Sequence, residues 1–175
     1  MKFHPSEPRI LALTIRASRL GFVVFAGPKQ ILDWGTYSIP RSGRSAARSL
    51  RRILSLLTSF TPSVIVVKMS RRKRDVNARF ANWLFRFIVR QAKLRSILVV
   101  PINETTIKVA FRLLSGNSKY DRARVVVSVF PELAWKMPLE RKPWESEPRA
   151  MMVFDAAMIG FVYWQEHGSQ SIAPT

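Results

Sequence analysis

The chain has 175 residues, 47% of them hydrophobic, with 29 lysines and arginines against 11 acids, a net charge of +18 and a pI near 11.6. That length is most economically one domain with its own core, and the apolar content excludes a disordered basic protein. The charge calls for a polyanionic partner, nucleic acid before anionic membrane, because solubility alone needs far less.

Zero cysteines exclude disulfides and thiolate metal sites. Residues 1–8 lack the apolar core of a signal peptide and are expected as a tail. The longest apolar stretch, Ala150 to Trp164, is interrupted by Asp155 and is too short for a membrane span. A soluble, cytoplasmic protein is expected, with one domain over 9–166 and a flexible tail over 167–175.

Ile10 to Ile15 is an apolar run too short for an independent helix and reads as a buried strand. A polar turn, Arg16 to Leu20, leads to a second strand, Gly21 to Phe25. Ile31 to Ile39 makes a third after the Gly27-Pro28 turn. Short turns between three successive strands predict an antiparallel meander, one wing of a mixed sheet. Arg41 to Leu57 reads as an amphipathic helix, with Ala46, Leu50, Ile53 or Leu54, and Leu57 inward, and Ser42 or Ser45 as cap. Val64 to Val67 is a fully buried strand, as a parallel neighbour of the first would be.

Lys68 to Arg74 follows, with five positive charges in seven residues. A helix over Val76 to Leu94 directs Phe80, Trp83 or Leu84, and Phe87 or Ile88 inward. Ser96 to Pro101 is another short buried strand. Helices are predicted over Glu104 to Leu114, with Ile107, Phe111 and Leu114 on one side, and over Asp121 to Val129. Pro138 to Pro148 is a loop. The last helix runs from Glu147 to Trp164, with Ser146 as cap and Pro148 in its first turn.

Arg9-Ile-Leu-Ala-Leu-Thr14 followed by Ser18-Arg-Leu-Gly-Phe22 resembles the first hairpin of RuvC-type Holliday-junction resolvases of the RNase H-like superfamily. Pro62 to Val67 resembles the family's fourth strand. Leu114-Ser-Gly-Asn-Ser-Lys119 resembles its glycine-bearing loop, and Phe154-Asp-Ala-Ala157 its final helix. The resemblance spans Arg9 to Trp164. It implies an α/β, RNase H-like fold: a mixed five-stranded sheet, meander plus parallel strands, flanked by helices.

Nucleases of this kind hold two divalent metals, usually magnesium, on carboxylates from separate elements. Carried over residue by residue, the strand-one aspartate corresponds to Thr14 and the strand-four glutamate to Lys68. The two acids of the last helix correspond to Met152 and Asp155. Asp155 alone survives, and an ammonium at Lys68 repels a cation. The resemblance therefore implies a vestigial catalytic site with no cofactor, in which Asp155 pairs with Lys68 or Arg16. The alternative is an active junction or flap endonuclease in which Glu147 or Glu104 has joined Asp155 to hold magnesium.

Lys68 to Arg74 leaves the rim where open sheets build sites. Arg16, Arg19, Lys68, Arg71, Arg72, Lys73, Arg74 and Lys119 are the expected phosphate contacts, giving affinity with little sequence reading. Trp34 and Trp144 are candidates for stacking on unpaired bases, while Trp83, Trp135 and Trp164 are assigned to the core. His4 and His167 receive no role. The partner classes implied are nucleic acid, DNA before RNA, then a second copy of the chain through the helix over 76–94, and other proteins, with no membrane. A third reading is an RNA-binding or protein-recruiting scaffold.

Overall fold

The computed structural model describes residues 8–16, 19–39, 44–68, 76–116, 118–140, 142 and 144–168. Three antiparallel strands, β1 (Ile10–Arg16), β2 (Arg19–Gly27) and β3 (Gln30–Ser38), lead into helix α1 (Arg44–Phe60). Strand β4 (Val64–Lys68), helix α2 (Val76–Lys93) and strand β5 (Leu98–Ile102) follow. Helices α3 (Glu104–Phe111) and α4 (Lys119–Val129), a 3-10 turn over Pro131–Lys136 and helix α5 (Met151–His167) complete the order.

The sheet order is β3-β2-β1-β4-β5, with β1-β4 and β4-β5 parallel. This is the predicted mixed five-stranded sheet. Side chains alternate across a strand, so each strand divides its residues between two cores. Ile10, Ala12, Val23, Phe25, Val64 and Val66 face α3, α4 and α5. Leu11, Leu13, Leu20, Phe22, Ile65 and Val67 face α1 and α2. Fully buried Phe25, Phe111, Phe130 and Phe154 each contribute roughly 1.5 to 3 kcal/mol by leaving water. Helix α5 is apolar on nearly every side because it lies sandwiched between the sheet and α3 and α4. Residues 151–160 are all buried.

Several boundaries differ from the predicted ones. β5 begins at Leu98 because Ser96 takes a left-handed φ of 55°. There Ile97 N–H donates to Ala92 O and Ser96 N–H to Lys93 O, a Schellman cap closing α2. β5 is the sheet edge and only partly buried, with Leu98 exposed, rather than the buried strand expected. α3 ends at Phe111, so Leu114 is exposed instead of inward. α4 starts two residues early, because Ser118 and Asp121 form a capping box.

α5 starts at Met151, with Ala150 at its N-cap and no side-chain cap, so neither Ser146 nor Pro148 has the predicted place. Three-residue turns from Pro148, Arg149 and Ala150 lead into it instead. The helix continues to His167, whose ring stacks on Tyr163. Of the proposed caps of α1, Ser42 lies outside the described residues and Ser45 falls within the helix. On α2, Leu84 and Ile88 take the inward positions.

Candidate functional site

Thr14 and Lys68 are register partners in the parallel β1-β4 pair and face α5, at the strands' carboxyl ends. The first turns of α5 pass directly over them. Thr14 Oγ1 donates to Met152 O at 3.1 Å, so a hydroxyl binds the helix backbone where the family's aspartate would stand. Gly21, opposite Thr14 in β2, permits that approach. A Cβ there would lie 2.5 Å from Met152 O and 2.8 Å from Thr14 Oγ1. Positions 14, 68, 152 and 155 therefore converge, as the resemblance implies.

What fills the convergence is a chain of alternating charges. It runs Arg16, Glu147, Lys119, Asp155, Lys68, Glu104, Arg122, each in an ion pair with the next. Lys68 Nζ lies 3.2 Å from Asp155 Oδ1 and 2.8 Å from Glu104 Oε2. Lys119 Nζ lies 2.5 Å from Asp155 Oδ2 and also binds Glu147 Oε1. Arg16 binds Glu147 Oε2, and Arg122 lies 3.0 Å from Glu104 Oε1. All six oxygens of the three carboxylates are thus engaged by cations.

The electrostatics follow from this arrangement. Burial lowers the Lys68 pKa, but the attraction of Asp155 and Glu104 outweighs it and leaves the ammonium above its ordinary value. Burial raises Glu104 and Glu147, yet Lys68 and Arg122 for one, and Lys119 and Arg16 for the other, hold both below the ordinary glutamate value. The hydrogen bond to Glu147 raises Arg16. Arg16, Lys68, Glu104 and Glu147 are therefore charged at neutral pH. Asp155 is 5% exposed, and its two ammonium partners offset the cost of burying the carboxylate.

This arrangement does not fit a magnesium pair. Magnesium needs hard oxygen ligands with room for water, and these oxygens already hold ammonium and guanidinium groups. Among the described residues, no three or more acids or histidines are arranged to hold a metal ion.

The predicted site residues divide clearly. Asp155 pairs with Lys68, the first of its two named candidates, whereas Arg16 takes Glu147 instead. Lys119 enters the cluster as a direct partner of Asp155. Arg19 lies on β2 opposite Arg16. Arg71, Arg72, Lys73 and Arg74 lie outside the described residues. Glu104, the first residue of α3 after β5, reaches Lys68 at the carboxyl end of β4. Glu147 arrives from the loop before α5, not from within the last helix where it was predicted. Arg122 was missed. Its only signal was a basic residue near the start of α4, and a long basic side chain is usually solvated, not 6% exposed.

The tryptophans require correction. Trp135, assigned to the core, is 70% exposed on the 3-10 turn, 5.2 Å from the Trp34 ring and beneath Lys136. Trp83 is 46% exposed because Leu84 and Ile88 hold the inward face of α2. Trp34 sits within β3, half-buried against the α5-side core, and Trp164 packs there too. Trp144 is exposed, with Lys142 over its ring. His4 lies outside the described residues.

No helix among the described residues is long and apolar enough to cross a membrane. No family model and no curated protein sequence matches the chain. Solved structures do. RuvC of T. thermophilus, in complex with a Holliday junction substrate, superposes with a TM-score of 0.70 at 18% identity, over 93% of this chain and 98% of that one. The yeast mitochondrial Holliday junction resolvase Ydc2 gives 0.55 at 15% identity, over 97% and 85%. Fowlpox virus resolvase, in complex with Holliday junction DNA, gives 0.50 at 14%, over 90% and 97%. Strand order, the helix laid across the β1-β4 rim and these superpositions together establish that the chain has the RNase H-like fold of RuvC-type Holliday-junction resolvases.

Proposed function

We propose that this chain is a non-catalytic, RuvC-like protein that binds branched or structured DNA on a basic groove, as a component of a recombination, repair or mobile-element assembly. One observation carries the reading: every oxygen of Glu104, Glu147 and Asp155 is held by a cation of the chain itself. Lys68 and Lys119 take the place of metal ions as the positive charges between the carboxylates. Lys68 and Lys119 are mostly buried in their ion pairs, so phosphate contact falls mainly to Arg16, which pairs with Glu147 but stays 55% exposed, to Arg19, and to the run Arg71, Arg72, Lys73 and Arg74. The net charge of +18 supports the polyanionic partner, and two of the fold's relatives are described with junction DNA. The partly exposed aromatic ladder Phe80, Trp83 and Phe87 on α2 offers a face for a second copy.

A second reading has a specific observation in its favour. Lys68 bridges Asp155 to Glu104 and Lys119 bridges Asp155 to Glu147, so a metal ion that displaced either lysine would meet Asp155 and one glutamate. The deciding experiment is cleavage of a labelled four-way junction with magnesium or manganese, with binding read in the same tubes. Tight, salt-sensitive binding without cutting is expected. Cutting that disappears in Asp155→Asn would establish the second reading. Equal affinity for linear RNA would favour an RNA scaffold, and no binding at low salt would overturn all of these readings.

A further inference from the structure

A second basic feature lies on the outer side of the charge chain, where its last member, Arg122, meets α3. The face of α3 carrying Thr105, Lys108 and Arg112, at helical spacing, forms one wall of a cleft of about 300 Å³ with Gly116 and Arg122. Among the described residues its lining holds three cations, Val109 and Phe111, and no carboxylate. The neighbouring acids are already engaged, Glu104 by Lys68 and Arg122, and Asp121 by the backbone and hydroxyl of Ser118.

Arg122 is the informative member. It is 6% exposed, and its guanidinium has five N–H donors, yet Glu104 Oε1 is its only ion-pair acceptor among the described residues. Its Nε is buried with no hydrogen-bond partner. Arg122 also lines the cleft, so the guanidinium that pairs with Glu104 lends its positive charge to it. Lys108 and Arg112 are exposed and add two cations to the lining. A guanidinium fork, an ammonium and a threonine hydroxyl around one cleft match the oxygens of a phosphate group.

We infer that the cleft between α3 and the start of α4 is a phosphate-binding site formed by Lys108, Arg112 and Arg122, separate from the β1-β4 rim apart from sharing Arg122. Its source of phosphate is either a nucleic-acid backbone, which rests on the DNA-binding reading above, or a free phosphorylated molecule.

The test uses the full chain and the Lys108→Ala/Arg112→Ala variant, whose changed side chains are exposed and leave buried Arg122 in place. Junction binding is measured by fluorescence anisotropy across a salt series, and pyrophosphate binding by calorimetry. If the cleft holds one backbone phosphate, the variant's plot of log affinity against log salt is shallower by about 1. Affinity then falls roughly tenfold at about 0.1 M salt. Saturable pyrophosphate binding is expected in the parent chain and is lost in the variant. Loss of pyrophosphate binding with the junction slope unchanged supports the site and assigns it to a free phosphate. If the parent binds no junction, the DNA reading fails and the pyrophosphate measurement alone decides. Absence of saturable pyrophosphate binding, together with an unchanged junction slope, overturns the site.

Discussion

Asp155 connects the two halves of the charge chain, with Lys68 on one oxygen and Lys119 on the other. Replacing it by asparagine keeps the shape and removes the charge, leaving each lysine a single glutamate. Losing one partner of a buried pair typically costs 3 to 5 kcal/mol. Here both ammoniums retain a second carboxylate, so Asp155→Asn is expected to lose about 2 to 3 kcal/mol of stability in denaturant titrations. Adding Lys68→Met in that background should recover part of the loss, because it removes a charge with fewer partners. Unchanged stability in Asp155→Asn would mean the carboxylate is not held as described. At this scale the sequence revealed which positions meet: Thr14, Lys68, Met152 and Asp155 lie where matching strands and helix place them. It named Lys68 as one of two candidate partners of Asp155 but did not reveal Lys119. Lys119 reaches Asp155 from 36 residues away across a loop, and choosing between Lys68 and Arg16 depends on side-chain reach, which periodicity does not encode.

Between elements, Glu147 ties the segment leading into α5 to both β1 and α4, through Arg16 and Lys119. Both Glu147 and Glu104 have folded-state pKa values below the ordinary 4.5, so the unfolded chain binds protons first as the pH falls. Their stabilisation is complete above about pH 4.5 and is lost as the pH drops through the lowered values. Lys68 behaves oppositely. Its pKa is raised, so its contribution is complete below 10.5 and disappears only as the pH climbs through the higher folded value. Denaturation midpoints should therefore be flat near neutrality and fall below pH 4.5, with a shallower fall in Glu147→Gln. An identical acid slope in that variant would remove Glu147 from the linkage. Element identity was legible because apolar periodicity is a strong signal, as α5 illustrates. Boundaries were less so where backbone chemistry overrode side-chain preference. Ser96 in a left-handed conformation delays β5, and the proline-bearing turn at 148–150 leaves α5 without a side-chain cap.

For the whole molecule, the sheet order and the helix across the rim describe a fold whose own cations fill the space between its carboxylates, in a chain of net charge +18. Magnesium offers a direct test of that exchange. A ligand that binds only the folded state stabilises it by RT ln(1 + [L]/Kd), so a site with a Kd of about 1 mM gains roughly 1.4 kcal/mol in about 10 mM magnesium. A nuclease-type carboxylate set should show such a gain, and it should vanish in Asp155→Asn. This chain should show none, because a dication approaching Asp155 must first displace Lys68 and Lys119, whose charges repel it. Thermal melts with magnesium, with calcium and with sodium chloride at matched ionic strength separate specific binding from screening of the surface charge. Equal midpoints in all three support an internally neutralised site. A rise with magnesium alone, absent from Asp155→Asn, would mean that the lysines yield to the metal and that the relocated carboxylates bind it.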